Sequence, residues 1–209
     1  MSEYWSQRFR QEGMIWGSEP SPTALLARDT FRQYQLKSVL VPGAGYGRNT
    51  KVFSEEFQTY GIELSQIALE MAVEWDPMSY YIAGSALYCK LDRQVDAIYC
   101  YDVLHLFLEE DRRRLVANCL EQLRPGGLLF FTSFSDEDLN YGCGRMIEPD
   151  TYEYKEGKYA HFFSEIGLRE HFAETEVLET GTQLETLRSP QGVTHTYILR
   201  YILARKSTL

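Results

Sequence analysis

What this sequence is short of narrows its chemistry first. Its four cysteines (Cys89, Cys100, Cys119, Cys143) form no C-x-x-C pair, so zinc-ribbon spacing and a thioredoxin-type redox motif are both absent and no metal site is expected. Such scattered cysteines read as reduced thiols in a cytoplasmic protein rather than as a disulfide frame. No apolar run approaches the roughly 20 residues of a membrane-spanning helix. The opening "MSEYWSQRFRQEG" is too polar for a secretory signal core, so no membrane partner is expected. Positive charge is scarce as well: 21 Lys and Arg against 30 Asp and Glu leave a formal net charge of -9. A grip on nucleic-acid phosphates needs clustered Lys and Arg, so no nucleic-acid partner is expected either. The one dense basic run, Arg112-Arg113-Arg114, follows Glu109-Glu110-Asp111 and reads as a mixed-charge helix face.

What is present suits one soluble α/β domain: 209 residues, 44% hydrophobic and 24% charged, enough to bury a core. Short apolar runs at Ser38–Pro42, Thr59–Leu64, Ser79–Gly84, Val95–Tyr101 and Leu128–Phe134 read as strands. Between them lie helical segments: "RNTKVFSEEF", "QIALEMAVEW" behind a Ser65 N-cap, and "EEDRRRLVANCLEQL" stopped by Arg124-Pro125-Gly126-Gly127. Apolar strands alternating with helices predict a doubly wound, parallel sheet covered on both faces. Residues 1–36 are expected to form N-terminal cap helices, 37–134 the binding core, and 135–209 a covering loop and final strands. Within that last part, Ser135 to Ala160 is polar, tyrosine-rich and irregular, and is expected to cover the open end of the sheet or to contain one or two short elements. A helix returns at "SEIGLREHFA", and two β-prone segments end the chain.

The informative stretch is "VLVPGAGYGRNT", with Gly43, Gly45 and Gly47 directly after the first strand. Glycine at alternate positions is costly unless the backbone needs left-handed conformations or close approach by a ligand. In open α/β sheets that first strand–turn–helix is the usual cradle, beyond the carboxyl ends of the strands. Its companion is an acid ending the second strand, which accepts hydrogen bonds from ribose hydroxyls. Glu63 occupies that place, so the pair specifies a ribose-bearing ligand. A dinucleotide fingerprint would place its third glycine at position 48, where this chain has Arg48.

Pro42-Gly43-Ala44-Gly45-Tyr46-Gly47, Glu63-Leu64-Ser65, "VDAIYCYDVLHLF" and "LRPGGLLFFTSF" together resemble the class I S-adenosylmethionine-dependent methyltransferases over roughly residues 35 to 135. Two departures stand out: Pro42 where the family usually has an acid, and Gly84-Ser85 where it often has Gly-Asp. The resemblance implies a Rossmann-like sheet of about seven strands, mostly parallel, with an antiparallel strand near the C-terminus. It implies S-adenosylmethionine as cofactor and S-adenosylhomocysteine as product. The cofactor residues it implies are Gly43, Ala44 and Gly45 in the bend and Glu63 and Leu64 after strand two. Gly84, Ser85 and Ala86 follow after strand three, and Tyr101 after strand four. The N-terminal "WGSEP" motif is similar to the tellurite-resistance and thiopurine or thiol methyltransferase branches, and adds Trp16.

The acceptor so implied is a small molecule such as a thiol or a chalcogen oxyanion. Trp5, Trp16 and Tyr46 are candidates to face the cationic sulfonium, and Asp102 to meet cofactor or substrate. His105 and His161 are open between packing and catalysis, and Tyr141, Tyr152, Tyr154 and Tyr159 between lining an acceptor pocket and anchoring a loop. No residue stands out as general base. The competing readings are a nucleotide-binding oxidoreductase and a non-catalytic cofactor-binding protein. A nucleic-acid methyltransferase fits less well, because strand four ends in Tyr-Cys-Tyr-Asp rather than Asn/Asp-Pro-Pro-aromatic.

Overall fold

The computed structural model describes residues 2–188 and 192–208. Val39, Leu40 and Val41 are buried, as a central parallel strand with both faces covered requires, and they form β1 (Ser38–Pro42). β1 pairs in parallel with β2 (Gln58–Glu63) on one side and β4 (Val95–Cys100) on the other. β3 (Tyr80–Ala83) adds outside β2 and β5 (Leu123–Phe134) outside β4, both in parallel. The chain then closes with β9 (Thr175–Arg188) and β10 (Thr194–Lys206). β10 lies antiparallel between β5 and β9, giving the order β3-β2-β1-β4-β5-β10-β9. The order reverses between β1 and β4, which is where such sheets bind ligands.

Alternation along the strands divides the core. Leu40 and Ile98 face α5 (Glu109–Gln122) and α6 (Glu165–His171), through Leu115, Cys119 and Leu168. Val39, Val41 and Tyr99 face α2 (Pro22–Gln33) and α3 (Thr50–Ser54), through Ala27, Phe31 and Phe53. Local chemistry sets the helix starts. The Ser21, Ser65 and Ser164 side chains accept backbone N–H groups of α2, α4 (Gln66–Trp75) and α6, and Pro22 stands in the first turn of α2. α1 (Ser2–Glu12) packs on α4, with Phe9, Tyr46 and Ala68 in one cluster.

Four expectations need correction. The helix after the glycines is only Thr50–Ser54, because Arg48 and Asn49 are spent in the turn and the chain must re-enter the sheet at Gln58. Arg124 to Gly127 do end α5, but as an irregularity carried within β5, between the pairs Val95–Leu123 and Ala97–Leu128. The segment from Ser135 to Ala160 holds three short elements where one or two at most were expected: β6 (Arg145–Glu148), β7 (Thr151–Lys155) and β8 (Lys158–His161) form a separate antiparallel sheet. Arg112 is buried at 2% exposure, whereas Arg113 and Arg114 pair with Glu109, Glu110 and Asp111 on the helix surface as expected.

Gly61 shows how tightly β2 and β3 meet the glycine bend. A Cβ there would lie 2.7 Å from the Tyr81 ring and 2.9 Å from the Ala44 Cβ. Gly61→Ala should therefore lower stability by about 1–3 kcal/mol, the usual cost of overpacking. Urea denaturation checks this; a midpoint equal to wild type would show that the contact yields freely.

Candidate active site

The bend after β1 is built from left-handed glycines: φ is +68° at Gly43, +57° at Gly45 and +84° at Gly47. Gly43 and Ala44 both donate their N–H to the Ile62 carbonyl, at 2.8 and 3.0 Å. The Glu63 carboxylate accepts from Gly45 N (2.9 Å) and Ser65 N (2.7 Å). Burial pushes its pKa up, and the backbone donors from Ser65, Gly45 and Leu64 oppose that rise. Glu63 thus fixes the bend, while an ionised carboxylate has about four acceptor positions and keeps others free. The glycines divide their work. A side chain at Gly43 would strike Val103 and one at Gly47 would strike the Tyr81 hydroxyl, whereas a Cβ at Gly45 meets nothing nearer than Trp16 at 4.0 Å.

Gly45 faces a cavity of about 640 Å³, a size typical of small-molecule sites. The structure brings all ten sequence candidates to its wall: Trp16 from the N-terminal arm, Gly43, Ala44 and Gly45, then Glu63 and Leu64, Gly84, Ser85 and Ala86, and Tyr101. Trp5, Tyr46, Asp102, His105, Tyr154 and Tyr159 line it too. Tyr46 clips the arm in place, its hydroxyl donating to Gly17 O (2.7 Å) and accepting from Trp16 N (3.2 Å). His161 does not line the cavity; its Nδ1 lies 2.7 Å from the Thr151 hydroxyl. Tyr141 and Tyr152 instead pack edge-on against Phe162.

Sequence reasoning missed the acid–base web behind the cavity. Arg48, 6% exposed, pairs with Glu185 of β9, 2% exposed, at 3.4 Å, and donates to Glu19 O. The Tyr101 hydroxyl (2.8 Å) and Ser21 hydroxyl (2.7 Å) also donate to Glu185. The signal available was an arginine where a dinucleotide site needs glycine; its partner lies 137 residues on. Asp102, two residues past the end of β4, has a left-handed conformation, φ +52°, which a non-glycine residue adopts only when its surroundings enforce it. The Thr132 hydroxyl enforces it, accepting from Asp102 N (3.0 Å) and donating to the carboxylate (2.7 Å). Burial first, then the Glu185 charge, push the Asp102 carboxyl up to about 7. His105 stacks on Phe134 with centroids 4.0 Å apart, and burial pushes its pKa down to about 3.

A glycine bend locked to an acid across β1 and β2, opening on a cavity at the switch point, is the arrangement that the resemblance to class I methyltransferases implies. Residues 40–131 match the family model for a methyltransferase domain, and the fold is the one seen in S-adenosylmethionine-dependent methyltransferases of known structure. NodS, an N-methyltransferase from Bradyrhizobium japonicum WM9 solved with S-adenosylhomocysteine, is 18% identical. It superposes with a TM-score of 0.70 over 97% of this chain and 98% of its own. TehB from Haemophilus influenzae is 16% identical, with a TM-score of 0.67 over 99% of this chain and 67% of its own. At such identities these likenesses speak for the fold. Among curated proteins, the tRNA N(3)-methylcytidine methyltransferase Mettl2 of Drosophila melanogaster is 34% identical over 77 residues. That match covers 35% of this chain and 24% of the relative, so the chain spans about a quarter of the protein it matches.

The raised Asp102 pKa has a sign that can be checked. Between about pH 4 and 7 the folded chain holds a proton that the unfolded chain releases. Asp102 therefore contributes stability at low pH that is lost as pH rises to 7, against the opposite contribution of the buried neutral His105. Asp102→Asn should remove only the first component. Its stability relative to wild type should rise from pH 4 to pH 8 in denaturant titrations; a pH-independent difference would contradict the assignment.

Proposed function

We propose that this chain transfers the methyl group of S-adenosylmethionine to a small-molecule acceptor, leaving S-adenosylhomocysteine. The observation that carries the reading is Gly45: a bare, left-handed backbone position with open space in front, locked to a buried carboxylate, on the wall of an aromatic-roofed cavity. The residues fit that cofactor. Glu63 retains acceptor positions for ribose hydroxyls, and Leu64, Gly84, Ser85 and Ala86 flank the space beyond it for the adenine. Trp16 and Tyr101 also line the cavity and are left for the methionine part. When bound, the cofactor supplies a methyl activated by its positive sulfur, which the acceptor's lone pair takes in line as the bond electrons return to sulfur.

The chain's own contribution is placement and exclusion of water. Holding the acceptor about 3 Å from the methyl is worth roughly 7–11 kcal/mol of barrier. Asp102 and the rings of Trp5, Trp16 and Tyr46 favour positive charge at that end of the cavity. Asp102, with its carboxyl near 7, is also the cavity-wall group suited to hold a proton released by an acceptor. His105, held near 3, is a neutral hydrogen-bonding group rather than a base. Arg48 speaks against a dinucleotide oxidoreductase, since its ion-paired side chain fills the position where the dinucleotide fingerprint needs its third glycine for close packing of helix on strand. The Mettl2 match raises transfer RNA as a second acceptor class; the net charge of -9 favours the small molecule.

Calorimetry with S-adenosylhomocysteine should give binding that Glu63→Ala weakens by about 1.5–3 kcal/mol, the scale of hydrogen bonds to a charged group. Unchanged affinity would remove Glu63 from the site, and thermal stabilisation by NADH alone would overturn the cofactor assignment. Screening thiols, phenols, amines, oxyanions and transfer RNA for S-adenosylhomocysteine release should give turnover on a small molecule. Turnover confined to RNA would contradict it.

A further inference from the structure

Resting on that methyl-transfer reading, we infer that the acceptor is an uncharged, flat aromatic molecule seated among the rings around Phe134. Beyond the cofactor end the cavity wall becomes a set of near-parallel rings. Phe134 stacks with His105 at 4.0 Å and 18°, with Tyr197 at 5.2 Å and 22°, and with Phe162 at 5.6 Å and 23°; all four line the cavity. Rings fixed in this attitude present flat apolar faces that a planar molecule covers far better than a puckered or tetrahedral one.

Charge supports the same choice. Among the described residues, the cations on the cavity wall are Arg8 and Arg48. Arg48 is committed to Glu185. Arg8 pairs with Glu12 at 3.1 Å and lies over the Trp5 and Trp16 rings. The acids Glu63, Asp102 and Asp111 face the same space. The protein's own groups thus offer an oxyanion acceptor no free cation to replace its hydration, leaving only the cofactor's sulfonium, and this weighs against the chalcogen oxyanion expected from the N-terminal motif.

Two further features define the slot. The buried Nδ1 of His105 has no hydrogen-bond partner among the described residues, and the side chain is 4% exposed. Buried polar atoms are rarely left so; with no surface open to the cavity, this nitrogen leaves His105 to act on the acceptor through its ring face and not through a hydrogen bond. Above, two separate elements meet at the cavity: Tyr4 of α1, on its wall, lies 4.1 Å from Lys158 and 5.4 Å from Lys155 of the small sheet.

The test uses 2-naphthol and decahydro-2-naphthol, which share a skeleton and a hydroxyl and differ in flatness, together with selenite. Each is titrated calorimetrically into protein saturated with S-adenosylhomocysteine. 2-Naphthol should bind at least tenfold more tightly than its saturated counterpart, and selenite should give no binding. Phe134→Leu and Tyr197→Leu should each cut the preference at least threefold while S-adenosylhomocysteine affinity stays within twofold of wild type. Equal or reversed affinities, binding of neither naphthol, a preference unchanged in both variants, or binding of selenite would each overturn the inference. Failure of S-adenosylhomocysteine itself to bind would instead overturn the methyl-transfer reading beneath it.

Discussion

The site depends on one mutual arrangement, the Glu63 carboxylate bonded to the N–H groups of Gly45 and Ser65. A buried carboxylate without donors is costly, and a left-handed glycine bend without an anchor would sample many conformations. Each resolves the other's difficulty. The bend is held against the end of β2, and the start of α4 is fixed through Ser65, whose own hydroxyl caps that helix. Tight packing of Gly61 beneath Ala44 and Tyr81 leaves little room for the arrangement to shift.

A second layer ties distant parts of the chain to that bend. Arg48 and Glu185 join its last turn to the far edge strand, with Ser21 and Tyr101 completing the bonds to Glu185. Buried pairs of this kind give little net stability, but removing one partner is severe, so the web acts mainly as a register device between the arm, the bend and β9. The small sheet has its own clasp. Buried Arg112 reaches Glu148 and Glu109, both at 2.7 Å, and also the Phe107 carbonyl. Thr151 links Glu148 to His161. His161 and His171 therefore belong to the attachment of the roof rather than to the cavity.

How much of this was legible in the sequence follows from range. Apolar runs such as Val39–Val41 and caps such as Ser65 are local signals, and the first four strands they announce stand within a residue of expectation, while β5 begins five residues early at Leu123. Gly43, Gly45 and Glu63 were legible because conformational need and residue type coincide within 21 positions. The Ser135–Ala160 segment was not, because its strands pair with one another rather than with an apolar core, so hydrophobic alternation is weak there. Arg112 looked like one of three surface arginines until the fold turned it towards Glu148. Glu185 and Tyr197 carry no motif; only the return of β9 and β10 across β5 brings Tyr197 to the cavity beside Phe134 and sets Glu185 behind it.

The central claim is that the glycine bend and Glu63 grip the adenosine while the reacting sulfur points towards the rings around Phe134. A crystal structure of the protein with S-adenosylhomocysteine tests it most directly. The account predicts ribose hydroxyls within hydrogen-bond distance of Glu63, the Gly45 backbone in contact with the ligand, and the sulfur facing the space beside His105. Ligand bound elsewhere, or lying in the cavity with its ribose away from Glu63, would contradict it.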